Sequence, residues 1–144
     1  VIYLDSCALV KLIVTEKETP ALQARLSGHE SEIVTSELAI TELVRVVRRS
    51  CYDSQRQLKN DQATLDKRLS TASDLLDRID RIIVDTTTFL RAGMSTDDPF
   101  LGSLDAIHLV CALEVGPELT SFITYDKILA RAATLAGLPL EQPE

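Results

Sequence analysis

Residues 1–4, 32–35, 81–84 and 121–124 are short runs rich in β-branched and apolar side chains, and each is followed by a segment with helical signals. That alternation constrains the fold more than any other feature. Strands separated by helices are joined by crossovers, and crossovers make neighbouring strands parallel. The expectation is an α/β protein with a mainly parallel, four- to five-stranded sheet covered on both faces. Ser6 reads as the cap of a helix through 8–13, and Pro20 and Gly28 bracket a helix over 19–26. Ser36 reads as the cap of a helix to about Arg49. Further helices are expected over 87–92, 104–114 and 127–136, the second apolar nearly all round and therefore buried. Residues 138–140 fit a short edge strand, where Pro139 is tolerated.

The 144 residues fit one domain, 1–144, with a single substantial core. Residues 52–79 form a polar helical excursion. Its Leu58, Leu65, Leu69, Ala72 and Leu76, with Gln62 in register, make a thin apolar stripe. Packing against the body of the domain is the first reading of that stripe, and a dimer contact the second. No apolar run is long enough to span a bilayer, and the opening run stops at Asp5, which argues against a leader or an anchor. A cytoplasmic location is the default. Cys7, Cys51 and Cys111 lack disulfide or CxxC spacing and read as thiols in a reducing compartment. Neither His29 nor His108 has a partner at zinc-site spacing. A net charge of −7 argues against tight nonspecific binding to nucleic acid, so any such substrate needs a local basic patch.

Four carboxylates stand where the expected elements aim them at one rim. Asp5 ends the first strand and Asp126 lies just past the fourth; in open α/β sheets ligands bind beyond such strand ends. Glu42 sits at the edge of a buried helical face, with Leu38 and Val46 about 40° to either side. Asp105 lies in the apolar helix, where a charge needs compensation. Each has a plainer reading: helix caps for Asp5 and Asp126, an ion pair with Arg45 or Arg49 for Glu42, a local pair with His108 for Asp105. Asp97 and Asp98 read as solvated turn residues before Pro99. Converging carboxylates repel one another, and a hard divalent cation is the usual remedy. Together the four point to a metal-dependent enzyme acting on phosphates, with Arg45 and Arg49 as a basic lip and Lys11 as a further contact for the substrate backbone.

Four segments in order carry a family resemblance: Tyr3-Leu4-Asp5-Ser6-Cys7-Ala8-Leu9-Val10-Lys11-Leu12, Thr35-Ser36-Glu37-Leu38-Ala39-Ile40-Thr41-Glu42-Leu43, Leu104-Asp105-Ala106-Ile107-His108-Leu109, and Ile123-Thr124-Tyr125-Asp126-Lys127-Ile128-Leu129. The chain resembles the PIN domain, and within it the VapC-type ribonuclease toxins. The resemblance implies a three-layer α/β/α sandwich. It implies that Asp5, Glu42, Asp105 and Asp126 hold Mg²⁺ (or Mn²⁺) for hydrolysis of RNA, with Ser6 hydrogen-bonding a water or phosphate. It also implies a cognate VapB-type antitoxin whose tail occupies the active-site groove, and a homodimer. Cys7 and Gly102 depart from the family pattern, which more often has Ser and Arg there.

Two other classes remain open on sequence. A domain of this fold that no longer cuts would serve as a binding module for a small regulatory protein. An aspartyl-phosphate phosphatase with Asp5 as nucleophile ranks lower, because Cys7 stands where its second Asp belongs.

Overall fold

The computed structural model describes residues 1–29, 32–94 and 98–144. Five strands, β1 (Ile2–Leu4), β2 (Ile33–Ser36), β3 (Asp80–Ile82), β4 (Ser121–Ile123) and β5 (Leu140–Glu141), form one sheet in the order β3-β2-β1-β4-β5. Every pairing is parallel; Leu4 faces Ile123 across β1 and β4, and Ile2 faces Ile33 across β1 and β2. Seven α-helices connect the strands among the described residues: α1 (Ser6–Ile13), α2 (Thr19–Leu26), α3 (Leu38–Ser50), α4 (Gln62–Arg78), α5 (Thr86–Met94), α6 (Ser103–Val115) and α7 (Lys127–Leu135).

The period-two alternation of β1 divides the core. Ile2 and Leu4 pack with α1, α2, α3 and α4 on one face of the sheet, through Leu9, Leu22, Leu43 and Leu76. Tyr3 points to the other face with Val34 and Phe122, against Ile107, Val110 and Leu129 of α6 and α7 and Ala92 of α5. The result is a three-layer α/β/α sandwich. Residues 106–112 of α6 are all buried, as its continuous apolar sequence requires. The exposed Asp80 and Arg81 of β3 place charge on the sheet edge, which discourages pairing with another chain.

Local chemistry moves several boundaries. Asp5, not Ser6, caps α1: its backbone is still extended, its N–H bonds Ile123 O at 3.2 Å, and its Oδ1 accepts from Ala8 N–H at 2.8 Å. Ser6 is already inside the helix, so its hydroxyl is not the cap. Ser36 ends β2 while its Oγ accepts from Leu38 N–H at 3.0 Å. One helix, α4, makes up most of the excursion. Asp61 caps α4 through Thr64 N–H, while Tyr52 and Leu58 form a small antiparallel bridge ahead of it. Ala72 and Leu76 of the stripe join the core of the domain body, Leu69 packs against it, and Leu65 is also buried. Asp98 Oδ1 accepts from Phe100 N–H at 2.9 Å in a turn, while Asp97 lies outside the described residues.

Candidate functional site

The strand order reverses between β1 and β4: from β1 the chain moves outward to β2 and β3, then crosses back to β4 on the other side. A crevice opens beyond the strand ends at such a switch point. Asp5 follows β1 directly and Asp126 lies three residues past β4, so both stand at this rim.

Asp5 is only 3% exposed, and both its oxygens are occupied. Oδ2 accepts from Thr124 Oγ1 at 2.5 Å, and the Cys7 thiol lies 3.0 Å from each oxygen. Burial pushes the Asp5 carboxyl above its ordinary value, opposed by the hydrogen bonds from Cys7, Thr124 and Ala8. Thr124 also accepts from Asp126 N–H at 3.0 Å, and Cys7 Sγ accepts from Tyr125 N–H at 3.1 Å. These two side chains tie the β1 and β4 ends together. Burial first, then the neighbouring Asp5, pushes the Cys7 thiol up to about 12, so it is a hydrogen-bond donor and not a nucleophile.

Asp126 caps α7, its Oδ1 accepting from Ile128 and Leu129 N–H at 2.8 and 2.9 Å. Its plainer reading as a cap and its place at the rim therefore hold together. Glu42, on α3, accepts from His108 Nε2 at 2.7 Å across 66 positions of sequence. Burial would raise Glu42, but the hydrogen bond and electrostatic pull of His108, with a smaller part from Ser6, hold it below the ordinary carboxyl value. His108 is 1% exposed, and its Nδ1 lies 2.7 Å from the buried Tyr3 hydroxyl. A carboxylate only accepts, so Nε2 carries the proton facing Glu42; in the neutral ring Nδ1 accepts from Tyr3 O–H. The chain Tyr3–His108–Glu42 thus runs from the core to the rim. Tyr3→Phe removes its inner donor and is expected to cost about 1–2 kcal/mol, read as a lower urea midpoint with the slope unchanged.

Asp105 differs from the other three. Its side chain is half-buried, and among the described residues it has no hydrogen-bond or ion-pair partner. Burial first, then the charge of Asp126, raises its carboxyl; Asp5 and Glu42 add to this and His108 opposes it. Asp105 therefore feels the charge of the other three carboxylates. The four do not form a finished cage: among the described residues, no three His, Cys, Asp or Glu side chains are set to hold a metal ion as they stand. Gly102 bears directly on Asp105, because a Cβ at position 102 would lie 2.9 Å from Asp105 Oδ2.

The plainer reading of Asp105, a local pair with His108, is not what the structure shows: His108 bonds Glu42 and Tyr3 instead, as a residue that supports another side chain from within the core. Lys11 lines the same cavity as Ser6 and Asp126, but its ammonium is already paired. Glu16 and Glu18 bind its ammonium, the latter at 2.9 Å, and it lies 4.7 Å over the Tyr125 ring, so two carboxylates outweigh its single charge. Ser6 and Asp126 line a small cavity of about 330 Å³ with Cys7 and Tyr125. Arg45 and Arg49 are exposed further along α3 and line a separate groove with Arg48 and Arg56. Sequence reasoning missed Thr124 and Tyr3. The Thr-x-Asp spacing of Thr124 and Asp126 was a usable signal; Tyr3 gave none.

A parallel α/β/α sandwich with carboxylates at its switch point defines the structural class. A PIN-domain family model matches residues 2–135. The chain is 36% identical over 145 residues to Ribonuclease VapC47 of Mycobacterium tuberculosis (strain CDC 1551 / Oshkosh), covering 99% of this chain and 96% of that protein. It is 35% identical to Ribonuclease VapC35 of the same strain, with the same coverage. Ribonuclease VapC46 of strain ATCC 25618 / H37Rv is 34% identical over 143 residues, 99% of this chain and 97% of that protein. The chain belongs to the PIN-domain family, as a VapC-type member. No helix among the described residues is long and apolar enough to cross a membrane.

Proposed function

We propose that this protein is a Mg²⁺-dependent endoribonuclease, the toxin of a type II toxin–antitoxin pair, acting in the cytoplasm as a homodimer and restrained by a VapB-type antitoxin. The observation that carries the reading is Asp105, a half-buried carboxyl unpaired among the described residues and raised first by burial and then by the charges of Asp126, Asp5 and Glu42. An all-oxygen donor set with uncompensated negative charge fits a hard divalent cation, Mg²⁺ or Mn²⁺. The ribonuclease names of near full-length relatives supply the substrate class.

Asp5, Glu42, Asp105 and Asp126 would hold the cation. When bound, a divalent cation neutralises charge on a scissile phosphate and lowers the pKa of an attacking water. This chain's own residues do the rest. Thr124 and Cys7 fix the Asp5 carboxylate, and His108 fixes Glu42, so both enter the reaction already oriented. Ser6 lines the cavity it shares with Asp126 and hydrogen-bonds Glu42; a water or phosphate oxygen entering the cavity would be within reach of the same hydroxyl. Arg45 and Arg49 would hold the RNA backbone through paired guanidinium hydrogen bonds.

Purified protein in Mg²⁺ is expected to cut single-stranded RNA internally and to lose that activity in EDTA. Intact RNA in Mg²⁺, or cutting that survives the chelator, sinks the reading. One observation favours a non-cutting binding module instead: no three candidate ligands are set around a cation as they stand. Calorimetric titration with Mn²⁺ separates the two, since such a module would release no heat of binding.

A further inference from the structure

Resting on the ribonuclease reading, we infer that the groove lined by Arg45, Arg48, Arg49 and Arg56 beside Tyr52 is a binding track for the backbone of single-stranded RNA, leading away from the carboxylates along α3. The groove has a volume of about 690 Å³ and gathers four arginines in a chain of net charge −7. Among the described residues none of the four guanidinium groups makes an ion pair or a side-chain hydrogen bond. Asp53, the acidic residue lining the groove, spends Oδ1 on the N–H groups of Gln55 and Gln57 at 2.9 Å each.

A plainer explanation covers only part of this. Arg48 and Arg49 lie in the last turn of α3, where basic side chains complement the helix dipole. Arg45 is outside that turn, and Arg56 is not in the helix at all. Arg56 sits at φ +61 in a tight loop, held by Arg56 N–H to Asp53 O at 3.0 Å and Asp53 N–H to Gln57 O at 2.9 Å. That left-handed conformation is unfavourable for a residue with a Cβ. The loop folds back so that Arg56 joins the three helical arginines.

The groove's chemistry selects RNA over an acidic peptide. Guanidinium forks match phosphate and carboxylate oxygens alike, so the discriminating feature is the aromatic ring, on which the bases of a single strand stack. Tyr52 supplies that ring, 36% exposed. The helix rise places Arg49 about 10 Å along the axis from Glu42, so a strand crossing the carboxylates continues into the groove.

The test is equilibrium binding of a fluorescent single-stranded RNA to full-length protein in EDTA across a salt titration, repeated in the Asp5→Asn background. Relative to the same protein with its arginines intact, the Arg48→Gln/Arg56→Gln double substitution is expected to reduce the slope of log K against log salt by about 1.4, two phosphate contacts at about 0.7 each. Tyr52→Ala is expected to weaken binding about tenfold with the slope unchanged. An unchanged slope and affinity in the double variant overturns the inference. So does retained RNA binding with loss of a polyglutamate peptide, which would assign the groove to an acidic partner. Failure of wild type to cut RNA in Mg²⁺, with the arginine-dependent slope intact, would sink the ribonuclease reading and leave the track standing.

Discussion

Asp105→Asn is expected to remove metal-dependent RNA cleavage while making the metal-free protein more stable. The loss of activity should be about 100-fold or more, because one of four proposed cation ligands is gone. The stability gain follows from the sign of the shift. Asp105 binds its proton more tightly in the folded protein than in the unfolded chain, so ionising it costs folding free energy. That cost begins as pH rises through the unfolded value, about 3.9, and is fully present above the higher folded value. Partial exposure and the favourable α6 N-terminus reduce it but do not reverse the direction set by burial and three carboxylates. A gain of about 0.5–1 kcal/mol corresponds to about 2 °C in melting temperature at pH 7, fading toward pH 4. Mn²⁺ should reverse the order: at about 100 times its dissociation constant, a bound ion adds about 2.7 kcal/mol to wild type and far less to the variant. A variant that melts below wild type without metal, or a wild type whose melting point Mn²⁺ does not move, would show that these carboxylates do not crowd a cation site.

The sheet was readable because its signal is local. Each strand is a short apolar run, and the helices between them leave parallel pairing as the outcome. Placing Asp5 and Asp126 at one rim required only that β1 and β4 be neighbours, and their register confirms that they are. Side-chain pairing was much less readable. Asp105 and His108 share a side of α6 by spacing, yet His108 reaches Glu42, because helix spacing says which residues are adjacent and not which wall they face. Glu42 and its nearby arginines looked like an ion pair for the same reason. Lys11 looked free because Glu16 and Glu18 lie in the turn after α1, whose path the sequence did not reveal. Cys7 departs from the family pattern, yet its thiol donates to Asp5 and accepts from Tyr125 N–H, which a serine hydroxyl would also do. Gly102 departs from the family pattern too, and its direct effect is the space it leaves beside Asp105 Oδ2.

His108→Ala is expected to damage both fold and activity, because it breaks the one chain of hydrogen bonds described here that links the core to the rim. The substitution leaves Tyr3 O–H without its acceptor, strands a partly buried Glu42 carboxylate and opens a cavity beneath α6. Losing one partner of such a pair, with the cavity added, should cost about 3 kcal/mol, or about 10 °C in melting temperature. Cleavage at a temperature where the variant stays folded should fall about 10- to 100-fold, since Glu42 loses the contact that orients it. Glu42 is held below its ordinary carboxyl value, so stability from this pair is present above about pH 4.3 and is lost as pH falls through the folded value. The deficit of the variant should therefore shrink on acidification. His108→Gln supplies a side-chain amide that can still donate to Glu42, and should recover part of both losses. Equal melting points for wild type and His108→Ala would show that the chain carries no stability. An equal loss in the Ala and Gln variants with cleavage intact would reduce His108 to a packing residue.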